Sequence, residues 1–114
     1  MAKYECNLRG NFDELLNLIE SGILRGSMSA SLEDGSDYSS NVIRCAVRVF
    51  ERYSMTGSNR VSMNITLIGS GDNLFVTAIT AGGSQAVLFK FNTFGEEAFL
   101  DHIVDIVENY KKTL

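Results

Sequence analysis

His102 is the only histidine among the 114 residues, so any Cys-His or His-Asp catalytic arrangement has to be built around it. An imidazole is the natural general base near neutral pH. The spacing of His102 to Phe99, Ile103 and Ile106 places it at the edge of the apolar stripe of a predicted helix, where water or backbone satisfies it. Cys6 and Cys45 are the only thiols, and with His102 they fall one short of the four Cys or His ligands of a structural zinc site. No metal and no cofactor is expected. Gly69 and Gly71 lack the third glycine and the Lys-Ser or Lys-Thr of a phosphate loop, and they stand between two predicted strands instead of before a helix. Gly82 and Gly83 read the same way, and Asp34 to Asp37 lacks the closing glutamate of a calcium loop. Glu97, Asp101, Asp105 and Glu108 recur at intervals of three or four, which marks a solvated helix face. No nucleophile, base and orienting group can be assembled, so the reading leans away from an enzyme.

The elements around these residues follow from hydrophobic period. Tyr4, Cys6 and Leu8 alternate with polar neighbours as a half-buried strand ending at Gly10. Asn11 and Glu14 form a capping box, and Phe12, Leu15, Leu16 and Ile19 continue as a helix that Gly22 is expected to stop. A strand follows from Leu24 to Glu33, then a turn at Asp34 to Asp37. The next strand sets Ile43, Cys45, Val47 and Val49 inward and Arg44, Arg48, Phe50 and Arg52 outward. Val61 to Leu67, Leu74 to Ala81 and Ala86 to Phe91 complete five successive strands. Thr93 and Glu96 suggest a second capping box, opening a final helix with Phe99, Ile103, Ile106 and Tyr110 on its buried side.

Composition sets the class. One domain spanning residues 1–114 suits the length, and 45% apolar against 21% charged residues suffice for a core. The formal charge of −4 opposes binding to nucleic acid or anionic membrane. Charged residues in the first five positions, two inward thiols and the absence of a long apolar run predict a cytoplasmic protein with no membrane partner. The predicted fold class is α+β, two-layered, with an antiparallel sheet of about six strands, two helices on one face and the order β-α-β5-α. That order approximates the TATA-binding-protein-like and helix-grip folds, with one strand more than they use.

Three stretches, Ser29 to Tyr38, Arg44 to Tyr53 and Gly82 to Glu97, resemble a family of small bacterial proteins known only as a domain of unknown function. The resemblance implies a stand-alone bacterial cytosolic protein and supplies no catalytic residues.

Function therefore rests on surface pattern. The two predicted helical segments carry eight acids and two bases, whereas the rest carries six acids and eight bases. Arg44, Arg48, Phe50 and Arg52, with Asn64 on the neighbouring strand, would form a basic and partly apolar open sheet face. The leading reading is a non-catalytic module that self-associates as a homodimer, or binds an acidic protein partner, through this face. Arginines two strand positions apart twice over, about 13 Å, suit a row of separate carboxylates and not one phosphate. The alternative is a carrier or sensor holding a small apolar ligand between the sheet and the last helix, lined by Phe75, Phe89, Phe91 and Phe99.

Overall fold

Alternation of period two makes β1 (Ala2–Arg9), after which Asn11 caps α1 (Phe12–Gly26) by accepting a hydrogen bond on Oδ1 from the Glu14 N–H at 2.9 Å. A computed structural model describes residues 1–53, 60–82 and 89–114, and the side chains of all of these except 89–94. The remaining elements are β2 (Ser31–Ser39), β3 (Arg44–Tyr53), β4 (Arg60–Ser70), β5 (Asn73–Gly82) and α2 (Phe89–Lys112). The strands form one antiparallel sheet in the order β1-β5-β4-β3-β2, so β4 is its middle strand. Both helices pack on the same face, and the chain is α+β as expected.

Five strands stand among the described residues where about six were expected. Of the last expected strand, Ala86 to Phe91, the residues Phe89 to Phe91 form the first turn of α2 instead, and the rest falls in 83–88, outside the described residues. Thr93 consequently sits inside α2 and opens nothing. Glu96 is engaged elsewhere: its carboxylate accepts from the Gly82 N–H at 2.8 Å and its carbonyl accepts from Thr80 Oγ1 at 3.2 Å. These bonds tie the end of β5 to α2, which explains a glutamate only 5% exposed.

Gly22 does not stop α1. The helix runs on to Gly26, and a Cβ at Gly22 would lie 2.6 Å from Ile106 Cδ1. That glycine serves the close crossing of α1 and α2, not a cap. Leu24 and Arg25 belong to the last turn of α1, so the second strand begins at Ser31. The turn expected at Asp34 to Asp37 lies within β2, and the link to β3 is 40–43, where Ser40 Oγ accepts from the Ile43 N–H at 3.1 Å. Gly71, at φ +60, makes the β4 to β5 turn in the one left-handed conformation found among the described residues.

Leu15, Ile19 and Ile23 of α1 and Phe99, Ile103 and Val107 of α2 are fully buried against the sheet. Tyr110 joins the two helices: its hydroxyl accepts from the Asn11 N–H at 2.9 Å and donates to Glu14 Oε1 at 3.0 Å. The reciprocal half of the capping box is thus made by α2 instead of by Glu14 directly. Tyr110→Phe removes both bonds while keeping the ring, and is expected to lower stability by about 1 to 2 kcal/mol in a urea titration. An unchanged midpoint would mean that water replaces the hydroxyl at no cost.

Candidate functional site

Cross-strand pairing assigns each strand residue to a face, because antiparallel partners point the same way. On β4, Val61, Met63, Ile65 and Leu67 are buried under the helices, and Ser62, Asn64, Thr66 and Ile68 point to the other side. Their β3 partners follow. Phe50 pairs with Met63, Ala46 with Leu67, Arg48 with Ile65, Arg44 with Gly69 and Arg52 with Val61, all beneath the helices. The expected facing of β3 is therefore reversed.

Phe50, expected on the open face, is fully buried. Arg44 makes a two-pronged bond to Asp13, at 2.9 and 3.0 Å, and stacks its guanidinium 4.2 Å from the Phe12 ring centroid. Arg48 bridges Glu20 at 2.6 Å and Asp37 at 3.0 Å with its side chain only 12% exposed. A Cβ on Gly35 would sit 3.0 Å from Arg48 Cδ, so the glycine read as a turn residue makes room for this arginine. Arg52 lies over the Phe99 ring at 4.8 Å, and donates to the Gly95 carbonyl at 3.4 Å.

The row of separate carboxylates expected of a partner is thus internal, because Asp13 and Glu20 are spaced along α1 as Arg44 and Arg48 are along β3. Seven helical residues rise about 10.5 Å and four strand residues about 13 Å, close enough for long side chains to close the difference. Arg44 holds the Asp13 carboxyl below its ordinary range through their hydrogen bonds. The contribution of that pair is present above the ordinary aspartate pKa and fades as the pH falls through the lowered one. Burial lowers the pKa of Arg52. His102 stands 3.4 Å from Arg52 Nη1 through Nε2, with Nδ1 against Gly26. If the arginine donates, Nε2 accepts and the ring proton resides on Nδ1, an arrangement that packs a helix end.

The aromatic set expected to line a ligand pocket is not brought together. Phe99 is buried in the core beneath α2, while Phe75 lies on the opposite side of the sheet, paired with Ile68 and Asn7. Phe89 and Phe91 lie in the first turn of α2, and their side chains are outside the described residues. Hollows among the described residues lie elsewhere. One of about 740 Å³ opens between the outer sides of α1 and α2, beside Leu18, Gly22 and Ile106, and one of about 240 Å³ lies beside Ser40 to Arg44. Among the described residues no group of three or more His, Cys, Asp and Glu could hold a metal ion, and no helix is long and apolar enough to cross a membrane.

What the helix-free face does carry is apolar. Cys45 of β3, Ile68 of β4 and Phe75 of β5 are cross-strand neighbours there, Val47 and Val49 extend the apolar strip along β3, and Ile79 of β5 stands apart beyond Asn64. All are half-buried except Ile79, which is 41% exposed. Asn64 lies among them, between Val49 and Ile79, on the face where it was expected. Three rows cross the whole sheet: Lys3-Ile79-Asn64-Val49-Asp34, Glu5-Thr77-Thr66-Val47-Ser36 and Asn7-Phe75-Ile68-Cys45-Tyr38. Cys45 and Cys6 are both free thiols; Cys6 lies on the helix-covered face and Cys45, expected inward, does not. Sequence reasoning missed Val47, Val49 and Ile79 as surface groups. The matched spacing of acids on α1 and arginines on β3 is the signal that could have found them.

The model of a family of unknown function, DUF6054, matches residues 1–111. No curated protein and no solved structure matches the chain.

Proposed function

The chain belongs to the DUF6054 family of unknown function, which assigns no activity to carry over, so from the geometry alone we propose a non-catalytic module that binds a protein through its helix-free sheet face. The adjoining apolar residues Cys45, Val47, Val49, Ile68 and Phe75 carry this reading. An ordinary solvated sheet face carries polar residues outward, whereas β3 turns Cys45, Val47 and Val49 in succession to the helix-free side. A contiguous apolar patch of this kind marks a contact surface. The element order among the described residues, one strand, one helix, four strands and a long helix, supports a helix-grip or TATA-binding-protein-like architecture, a likeness that brings no function with it. A bacterial cytoplasmic setting belongs to the same proposal, since a half-exposed free thiol suits a reducing compartment.

Cys45 sits within the patch and reports on it. In intact cells making the protein, a permeant maleimide is expected to modify Cys45 much more slowly, relative to Cys6, than in highly diluted purified protein. The same ratio in both settings would mean that the face stays bare and is no contact surface.

A further inference from the structure

We infer that the protein seated on this face is a second copy of the chain, the two sheets packing face to face about a twofold axis that runs along β4. The inference rests on the reading of the face as a protein contact. β4 is the middle strand, so such an axis carries β1 of one copy over β2 of the other and lays each cross-strand row against itself in reverse.

The rows are self-complementary under that operation. In the first, Lys3 of each copy meets Asp34 of the other, Ile79 meets Val49, and Asn64 meets its own counterpart on the axis. Among the described residues neither Lys3 nor Asp34 makes an ion pair within the chain. The amide of Asn64 can both donate to and accept from an identical amide, so the exposed polar group nearest the centre is satisfied by its own copy. In the third row Phe75 meets Cys45 and Ile68 meets itself, which joins the most apolar parts of the two faces. Glu33, beside the register shift in β2, adds a second acid at the edge that receives Lys3.

The area is sufficient. Five strands about 4.8 Å apart and roughly nine residues long present about 700 Å² per copy, or about 1,400 Å² for the pair, within the range of stable interfaces. Rotation about this axis leaves the direction of β4 unchanged, so the two sheets pack in the aligned manner of β-sandwiches.

Reversing the edge charges tests both the partner and the axis. Sedimentation velocity of purified protein at low salt is expected to give a dimer over roughly 1 to 100 µM. Lys3→Asp and Asp34→Lys each place like charges together twice per dimer, so each should weaken association about tenfold, and the double variant should return to within about threefold of the unaltered chain. Both positions are exposed, so the variants remain folded, which circular dichroism verifies. A chain that stays monomeric over that range overturns the second copy as occupant; if Cys45 is nevertheless shielded in cells, the binding face stands with a different partner. A dimer indifferent to the single changes, or a double variant at least as weak as either single one, overturns this axis.

Discussion

Phe50→Ala is expected to lower stability by about 3 to 5 kcal/mol, the largest effect of any single truncation in β3, with Val49→Ala costing about 1. The two residues are adjacent on one strand and close in apolar character, so only their facing separates them. Phe50 has no exposed surface and pairs with Leu32 on one side and Met63 on the other, under the helices. Removing its ring leaves a cavity that fixed strands on both sides cannot collapse into. Val49 is half-buried on the helix-free face, next to Asn64 and Asp34, where water replaces what is removed. Urea denaturation of both variants, below the concentration at which any dimer forms, checks the facing of the whole strand. A greater loss for Val49→Ala would reverse the assignment of every residue from Arg44 to Tyr53. By the same argument Phe50→Glu unfolds the domain, and its effect on association cannot be read separately.

Arg48→Met is expected to cost about 2 to 3 kcal/mol, less than a fully buried pair because Glu20 and Asp37 keep part of their water. The guanidinium reaches four partners at once: Nε to Glu20, Nη2 to Asp37, and Nη1 to the Val47 carbonyl at 2.9 Å and the Ser36 carbonyl at 3.3 Å. Truncation leaves the Glu20 carboxylate, with its side chain 30% exposed, facing an apolar neighbour, so the penalty is chiefly that of an unpaired charge. Two comparisons separate this from lost packing. Arg44→Met, whose pair with Asp13 lies at the surface, should be far milder. Arg48→Met combined with Glu20→Leu should recover most of the loss, since an apolar pair replaces the ionic one. Thermal melts that rank Arg48→Met no worse than Arg44→Met, or a double change worse than the single, would remove Arg48 as the link between α1, β2 and β3.

The local pattern was sufficient for whatever depends on neighbours in the chain. Tyr4 to Leu8 as a strand, the Asn11 cap, the apolar stripe of the last helix and the antiparallel succession of β3, β4 and β5 all follow from period and capping chemistry. So does the outward side of β4, because Ser62, Asn64 and Thr66 contrast with Val61, Met63 and Ile65. Contacts distant in sequence decided the rest. Gly22 and Gly35 carry the usual signals of a stop and a turn, yet each exists to admit a side chain, Ile106 in one case and Arg48 in the other. The facing of β3 could not follow from period alone, since Ala46 and Phe50 on one side and Val47 and Val49 on the other are comparably apolar. Burial of the arginine side depends on Asp13 and Glu20 arriving from α1 to neutralise it, a condition met only once the helix lies across the sheet. An arginine looks outward in sequence because water is its default partner; in the folded chain a carboxylate about 30 residues away takes that place, and the apolar residues between the arginines' strand neighbours turn to the open face.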